Sequence, residues 1–208
     1  MRRLIIAVLM LTVILVKGQS DLSPGFKAGA PSEMEQLQFL RGTWNIALKW
    51  TDDLSIPREN WQSAGISQST ITPKYNGGFL HEDSKGFPLS QDGHEGFSHW
   101  AYNSVFSYDR FNKVFRYIAF DNILGLADIY EGGFKGEQLI LTNAKTNTYN
   151  NHGTNGSNQK NRLTVTQIND NRFEIIWENI DEDKLNVSDV HDSDWNFVIL
   201  MVYERTTN

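Results

Sequence analysis

The sequence predicts an all-β fold: a single closed antiparallel up-and-down β-barrel of about ten strands with a short N-terminal helix. Three observations carry this. From Thr43 to Arg205 the hydrophobic pattern has a period of two and is dense in aromatic and β-branched residues. Turn residues mark the breaks: Tyr75-Asn76-Gly77-Gly78, Asp109-Arg110-Phe111-Asn112, Lys135-Gly136-Glu137 and Asn169-Asp170-Asn171. Connections this short join neighbouring antiparallel strands, and closing the meander hides its two edges.

The chain opens with Met1-Arg2-Arg3 and an apolar run from Leu4 to Val16, broken by Lys17-Gly18-Gln19-Ser20. A charged start, an apolar run short for a bilayer and a small residue after it read as a signal peptide over 1–18, cleaved after Gly18 or, alternatively, after Ser20. An uncleaved anchor is the other reading. The chain is therefore expected to be secreted or periplasmic, with no stable membrane insertion after cleavage. Residues 19–31, rich in Gly, Pro, Ser and Ala, form a flexible lead-in, and 32–208 form one domain, as a chain of 208 residues allows.

No cysteine is present, which excludes disulfides and thiolate metal sites. Removing Arg2, Arg3 and Lys17 from 19 basic residues leaves 16 against 25 acidic, so the mature chain repels phosphate backbones. No nucleic acid is expected as a partner. Asn155-Gly156-Ser157 and Asn186-Val187-Ser188 are sequons.

Ser32 is expected to cap the helix, with Glu33 and Glu35 in its first turn, and Met34, Leu37 and Leu40 make an apolar face suited to plugging one barrel end. Gly42 turns the chain into the first strand. The strands are Thr43 to Trp50, Trp61 to Pro73, Gly78 to Asp83, Phe97 to Tyr108, Lys113 to Asp121, Leu126 to Phe134, Gln138 to Lys145, Arg162 to Ile168, Arg172 to Ile180 and Trp195 to Arg205. Polar Asn147 to Lys160 and acidic Asp181 to Asp194 read as end loops. The last strand is apolar on both faces, so something covers it, for which the N-terminal helix is the candidate.

An even-length turn at Asp109 to Asn112 sets Tyr108 opposite Lys113 and Phe106 opposite Phe115. The same parity at Asn122 to Gly125 sets Tyr117 beside Tyr130 and Ala119 beside Asp128. One face then gathers Trp100, Tyr102, Phe106, Phe115, Tyr117, Tyr130 and Phe134, with Asp121 and Asp128 among them. Phenols and indoles interrupted by carboxylates suit a partly wet ligand cavity, so this face is expected to point inward. Trp100, Tyr102, Tyr117, Asp121, Asp128, Tyr130 and Trp177 are the expected ligand-binding residues.

No catalytic or metal signature is present. No G-x-S-x-G elbow occurs, and Gly77-Gly78 and Gly132-Gly133 open no helix. His94 and His99 with Glu95 or Asp92 are a metal alternative to unrelated histidines on a surface hairpin. Asp121 and Asp128 with Tyr102, Tyr117 or Tyr130 are an acid–base alternative.

Leu37 to Trp44, Tyr75-Asn76-Gly77-Gly78-Phe79-Leu80, Phe106-Ser107-Tyr108-Asp109 through Phe115 and Asp121, Tyr130-Glu131-Gly132, and Met201-Val202-Tyr203-Glu204-Arg205 occur in this order. In that order and spacing the chain resembles a family of small lipocalin-like, calycin-type barrels of unknown function that is common in bacteria. The resemblance implies a closed barrel holding a small, largely apolar molecule, and implies no reaction. A more distant similarity is to nitrobindin, which binds haem through a late histidine. His191 is the late histidine here, but it sits in the acidic loop, and Ala47-Leu48-Lys49-Trp50 replaces nitrobindin's glycine-rich segment. No cofactor is therefore expected.

The functional expectation is an exported monomer or homodimer that binds a small apolar or aromatic molecule without catalysis. Its alternatives are the acid–base enzyme above and an interaction protein with a solid barrel and partner-binding loops.

Overall fold

The computed structural model describes residues 29–88, 99–122, 127–146, 151–152, 158–181 and 195–206. Residues 1–28 with the expected signal peptide, His94, His191 and the acidic stretch 182–194 lie outside the described residues.

Among the described residues thirteen strands follow one another: β1 (Gly42–Thr51), β2 (Gln62–Lys74), β3 (Phe79–Ser84), β4 (Phe87–Pro88), β5 (His99–Trp100), β6 (Tyr102–Asp109), β7 (Val114–Asp121), β8 (Ala127–Lys135), β9 (Gln138–Thr142), β10 (Asn151–His152), β11 (Asn158–Asn169), β12 (Arg172–Asp181) and β13 (Trp195–Arg205). Ten of them form an antiparallel meander, β11-β12-β13-β1-β2-β3-β6-β7-β8-β9. It closes where β9 pairs with β11, from Arg162 opposite Thr142 to Thr166 opposite Gln138. The closed up-and-down barrel is thus present, with neighbours in chain order. β4 and β5 form a separate two-stranded sheet, and β10 pairs beside β11. The expected strand from Phe97 is therefore broken at Ala101, and part of the expected loop 147–160 is strand.

The two ends differ. Tight turns after β2, β6, β8 and β11 close the base, and β1, β3, β7, β9 and β12 end at the opposite mouth. Asp109 builds one base turn, accepting from the backbone N–H of Phe111 and Asn112 at 2.9 and 3.0 Å. Arg116 reaches the same carboxylate at 3.0 Å.

The N-terminal helix, Ser32–Leu40, is a 3₁₀ helix and not an α-helix. Met34, Leu37 and Leu40 recur every three residues, which is the 3₁₀ repeat, so all three fall on one line and are fully buried. Ser32 makes no cap; its hydroxyl donates to Glu33 Oε2 at 3.3 Å, and Pro31 holds the position before the first turn. Below the barrel floor the helix is locked in place. Trp44 Nε1 donates to the Leu40 carbonyl at 2.8 Å, and Arg205 Nη1 donates to the Arg41 carbonyl at 2.9 Å while its guanidinium lies 4.3 Å from the Trp44 ring. Gly42, at φ +133°, leaves room for that guanidinium: a Cβ there would stand 2.4 Å from Arg205 Nη1.

The interior is packed with rings. Phe173 stacks on Tyr203 at 4.2 Å and meets Trp44 edge-on at 4.8 Å. Higher up, Phe106 to Tyr117 (4.7 Å), Tyr117 to Tyr130 (5.8 Å) and Tyr130 to Trp177 (5.9 Å) span the barrel. The helix plugs the base and does not cover the last strand. Val198 and Leu200, on the outer face of β13, pack instead with Trp61 from the β1–β2 connection, whose Nε1 donates to the Ile56 carbonyl at 2.9 Å.

At one position the backbone of the neighbouring strand leaves no space. A Cβ on Gly132 would stand 2.1 Å from the Ile140 carbonyl oxygen on the paired strand, whereas one on Gly133 meets nothing within 4 Å. Gly132→Ala is expected to lower stability by about 3 kcal/mol, the upper end of overpacking costs, and Gly133→Ala to shift it by under about 0.5 kcal/mol. Urea unfolding of the two variants checks this; equal losses would refute the close approach of β8 and β9.

Candidate functional site

Parity in β6, β7 and β8 decides what faces the interior. Tyr102, Ser104, Phe106, Phe115, Tyr117, Ala119, Asp128 and Tyr130 are buried, while Arg116 on the alternate positions pairs with Glu131 at 3.5 Å outside and Phe120 is exposed. The expected inward face is correct. Its expected register is not: Tyr108 pairs with Phe115 and Phe106 with Tyr117, two residues from the predicted partners. The base turn runs one residue later, because Asp109 still pairs with Val114 and Lys113 takes the left-handed conformation at φ 55°. A slip of two preserves the face, and between β7 and β8 the expected register is observed, with Tyr117 beside Tyr130 and Ala119 beside Asp128.

At the mouth, Trp100, Tyr102, Tyr117, Ala119, Asp121, Trp177 and Met201 line a cleft. It contains about 280 Å³ of atom-free space counted into its opening, but only about 10 Å³ admits the centre of a water molecule. That is room for about one water. Trp100 reaches the cleft from the β4–β5 sheet, where it pairs with the fully buried Phe87 at 6.1 Å between rings, and it lies 5.8 Å from Tyr102. Five of the seven expected binding residues thus share one wall. Tyr130 stands behind Tyr117 and Trp177. Asp128 is buried with it, both carboxylate oxygens accepting from Asn143 Nδ2 at 3.3 and 3.2 Å. Asn143 Oδ1 accepts from the Asn161 backbone N–H at 2.7 Å, and Asn161 Nδ2 donates to Tyr130 OH at 3.2 Å. Among the described residues, Trp177 Nε1 and Asn161 Oδ1 are buried without a hydrogen-bond partner.

Beneath the cleft lies a carboxylate absent from the sequence-based set. Glu82 is fully buried; its Oε2 accepts from Ser104 Oγ at 2.8 Å, and its Oε1 accepts from Tyr203 OH at 3.0 Å and Tyr102 OH at 3.3 Å. The two phenol oxygens are 2.7 Å apart. Two phenolic protons thus serve three mutually touching oxygens when Glu82 is ionised, and its own proton supplies a third when it is not. Burial pushes the Glu82 carboxyl above its ordinary range, opposed by the hydroxyl donors, Ser104 first. Burial also raises the Tyr102, Tyr203 and Tyr117 phenols, and the nearby Glu82 charge adds to each. The signal for Glu82 was in the alternation Leu80, Glu82, Ser84: with Leu80 inward, Glu82 must be inward too.

Among the described residues no group of three or more metal-ligating side chains gathers, and no helix is long and apolar enough to cross a membrane. Compared with known proteins, the chain matches no family model and no curated protein sequence. Among solved structures it is similar to EF1p2_mFAP2b bound to DFHBI, at 12% identity over 84% of this chain and 100% of that chain, with a TM-score of 0.40. It is also similar to a redesigned β-barrel, b11L5F_LGL, at 10% identity over 86% and 99% of the two chains, TM-score 0.41. A third is the redesigned β-barrel mFAP0 bound to DFHBI, at 12% identity over 81% and 100%, TM-score 0.37.

Because the folded Glu82 carboxyl is raised above its ordinary value of 4.5, the folded chain keeps a proton there that the unfolded chain releases. Stability from this group is greatest below that value and falls as pH rises through the raised one. Glu82→Gln cannot ionise. The stability of wild type relative to Glu82→Gln is therefore expected to fall as pH rises above the ordinary value of 4.5 in urea titrations, and parallel pH curves would show that Glu82 is not the group responsible.

Proposed function

We propose that the chain is an exported, lipocalin-like binding protein whose barrel mouth takes a small apolar or aromatic molecule, without catalysis. The observation that carries this reading is the cleft: one carboxylate, one unpartnered indole N–H and four aromatic side chains converge at the end of the barrel opposite the helix. Aromatic walls with a few polar handles bind by area and orient by hydrogen bonds. The plugged and ring-filled base supports the reading by leaving the mouth as the entrance. Export is supported by the charged and apolar start of the sequence.

An acid–base enzyme is the weaker reading. Glu82, the carboxylate whose acidity burial perturbs, is covered by Ser104, Tyr102 and Tyr203 and offers no free oxygen face to a substrate. The solid-barrel interaction protein has one observation in its favour: a groove of about 340 Å³ on the outer surface, lined by Leu54, Ile56, Trp61 and Val198 among others.

The test fills the cleft from its floor. Ala119 is the small residue in the wall, and Ala119→Leu places three further carbons in the space. Native mass spectrometry of protein from its own source, with saturation-transfer NMR against a panel of small aromatic molecules, is expected to find a bound species. Ala119→Leu should weaken it at least about tenfold, equal to about 1.4 kcal/mol, with the unfolding midpoint retained. A panel in which nothing binds, or binding that Ala119→Leu leaves intact, refutes the proposal and moves weight to the outer groove.

A further inference from the structure

We infer that the molecule taken by this cleft is a carbonyl compound, a ketone, ester or amide whose oxygen accepts from the Trp177 indole N–H. The inference rests on the binding reading above and adds one hydrogen bond to it.

Three observations carry it. First, Trp177 lines the cleft, and its Nε1 is a buried donor without a partner among the described residues. An indole N–H can only donate, so an acceptor is what it requires. A buried donor left unpaired forfeits its hydration, and native structures leave few of them.

Second, the indole is not turned to the buried acceptor beside it. Trp177 pairs with Leu163, and Asn161, two residues along β11, carries an Oδ1 that is also buried and unpartnered. The two atoms do not bond to each other. Asn161 Nδ2 donates instead to Tyr130 OH at 3.2 Å, and the Tyr130 ring meets the Trp177 ring edge to face at 5.9 Å. Packing against Tyr130 thus holds the indole with its N–H off the Asn161 oxygen.

Third, the phenols on this wall are engaged. Tyr102 OH lies 2.7 Å from Tyr203 OH and donates to Glu82 Oε1 at 3.3 Å, and the Tyr117 phenol has the Ser104 hydroxyl as its hydrogen-bond partner. A ligand's acceptor gains a new bond at the indole and would displace an existing one at either phenol. The space suits one such atom: about 10 Å³ of the cleft admits a water-sized centre, room for one oxygen, with the rest of the ligand lying toward the mouth.

The experiment compares acetophenone with α-methylstyrene, which carries C=CH₂ in place of C=O on the same skeleton. Each is titrated into the full chain labelled with ¹⁵N-tryptophan, and the indole N–H resonances are followed by NMR, that of Trp177 being identified by its loss in Trp177→Phe. Acetophenone is expected to bind and move the Trp177 indole proton downfield, while α-methylstyrene leaves it in place. The acetophenone-to-alkene affinity ratio should fall about fivefold in Trp177→Phe, the loss of one hydrogen bond. A Trp177 resonance unmoved by bound acetophenone, or moved alike by both probes, overturns the inference while leaving the binding reading in place, and so does a ratio unchanged in a folded Trp177→Phe. Failure of both probes to bind removes the reading and the inference together. If Trp177→Phe does not fold, the wild-type spectra decide: one indole resonance moved downfield by acetophenone alone supports the inference, and none overturns it.

Discussion

The width of a ten-stranded barrel is the constraint from which the other features follow. Eight strands enclose an interior that ordinary side chains just fill, and ten enclose more. This chain fills the excess from one end. A nine-residue 3₁₀ helix supplies Met34, Leu37 and Leu40, Trp44 spans the floor, and Phe173 and Tyr203 stack above it. Arg205 joins the last strand to the end of the helix through the Arg41 carbonyl and to Trp44 through its ring. Carbonyls at the C-terminal end of the helix are thus satisfied by barrel side chains, Trp44 and Arg205. Packing at the base costs conformational freedom at Gly42 and is offset by burial of several large side chains.

Above the ring layer the filling changes character. Ser69, Ser84 and Ser104 are buried polar residues near Glu82, and Ser67 is buried further along β2. Small hydroxyl side chains occupy little volume and supply donors, which is what a buried carboxylate requires. Ser104, Tyr102 and Tyr203 provide three donors to Glu82, and Ser69, although it faces the same carboxyl, makes no full hydrogen bond. Ionised Glu82 is thus well supplied but poorly solvated. A polar cluster of this kind adds less to stability than an apolar core of equal volume, and its contribution is directional. It fixes the Tyr102 ring, which is shared by the cluster below and the cleft above.

Much of this was legible in the sequence, and the exceptions have physical causes. Strand positions and inward faces follow from a period of two, which survives any even slip of register. The register itself depended on Lys113 adopting a left-handed conformation that no glycine or asparagine announced at that position. The helix type was also written in the spacing: three apolar residues at intervals of three fit a 3₁₀ helix better than an α-helix, but so short a segment is consistent with both. Trp61 as the cover of the last strand was hidden, because its place depends on the path of the β1–β2 connection. Glu82 was passed over for the opposite reason. A charged residue in an inward register reads as an exception to alternation until Ser104, Tyr102 and Tyr203, three residues from two other strands, are brought around it.

On the binding reading proposed above, the asymmetry between the ends bears on how a cleft this small discriminates. A rigid, plugged base holds the inward positions of β6 and β7 in fixed rotamers, so Tyr102, Tyr117 and Asp121 need little ordering when a ligand arrives. The space is too small for area to dominate: burying one methylene-sized group contributes about 0.8 kcal/mol, less than a tenfold change in affinity. Where only one small group enters, hydrogen-bond geometry outweighs apolar contact. On that reading the chemistry of the wall sets which molecule is retained, and the barrel below holds the wall in shape.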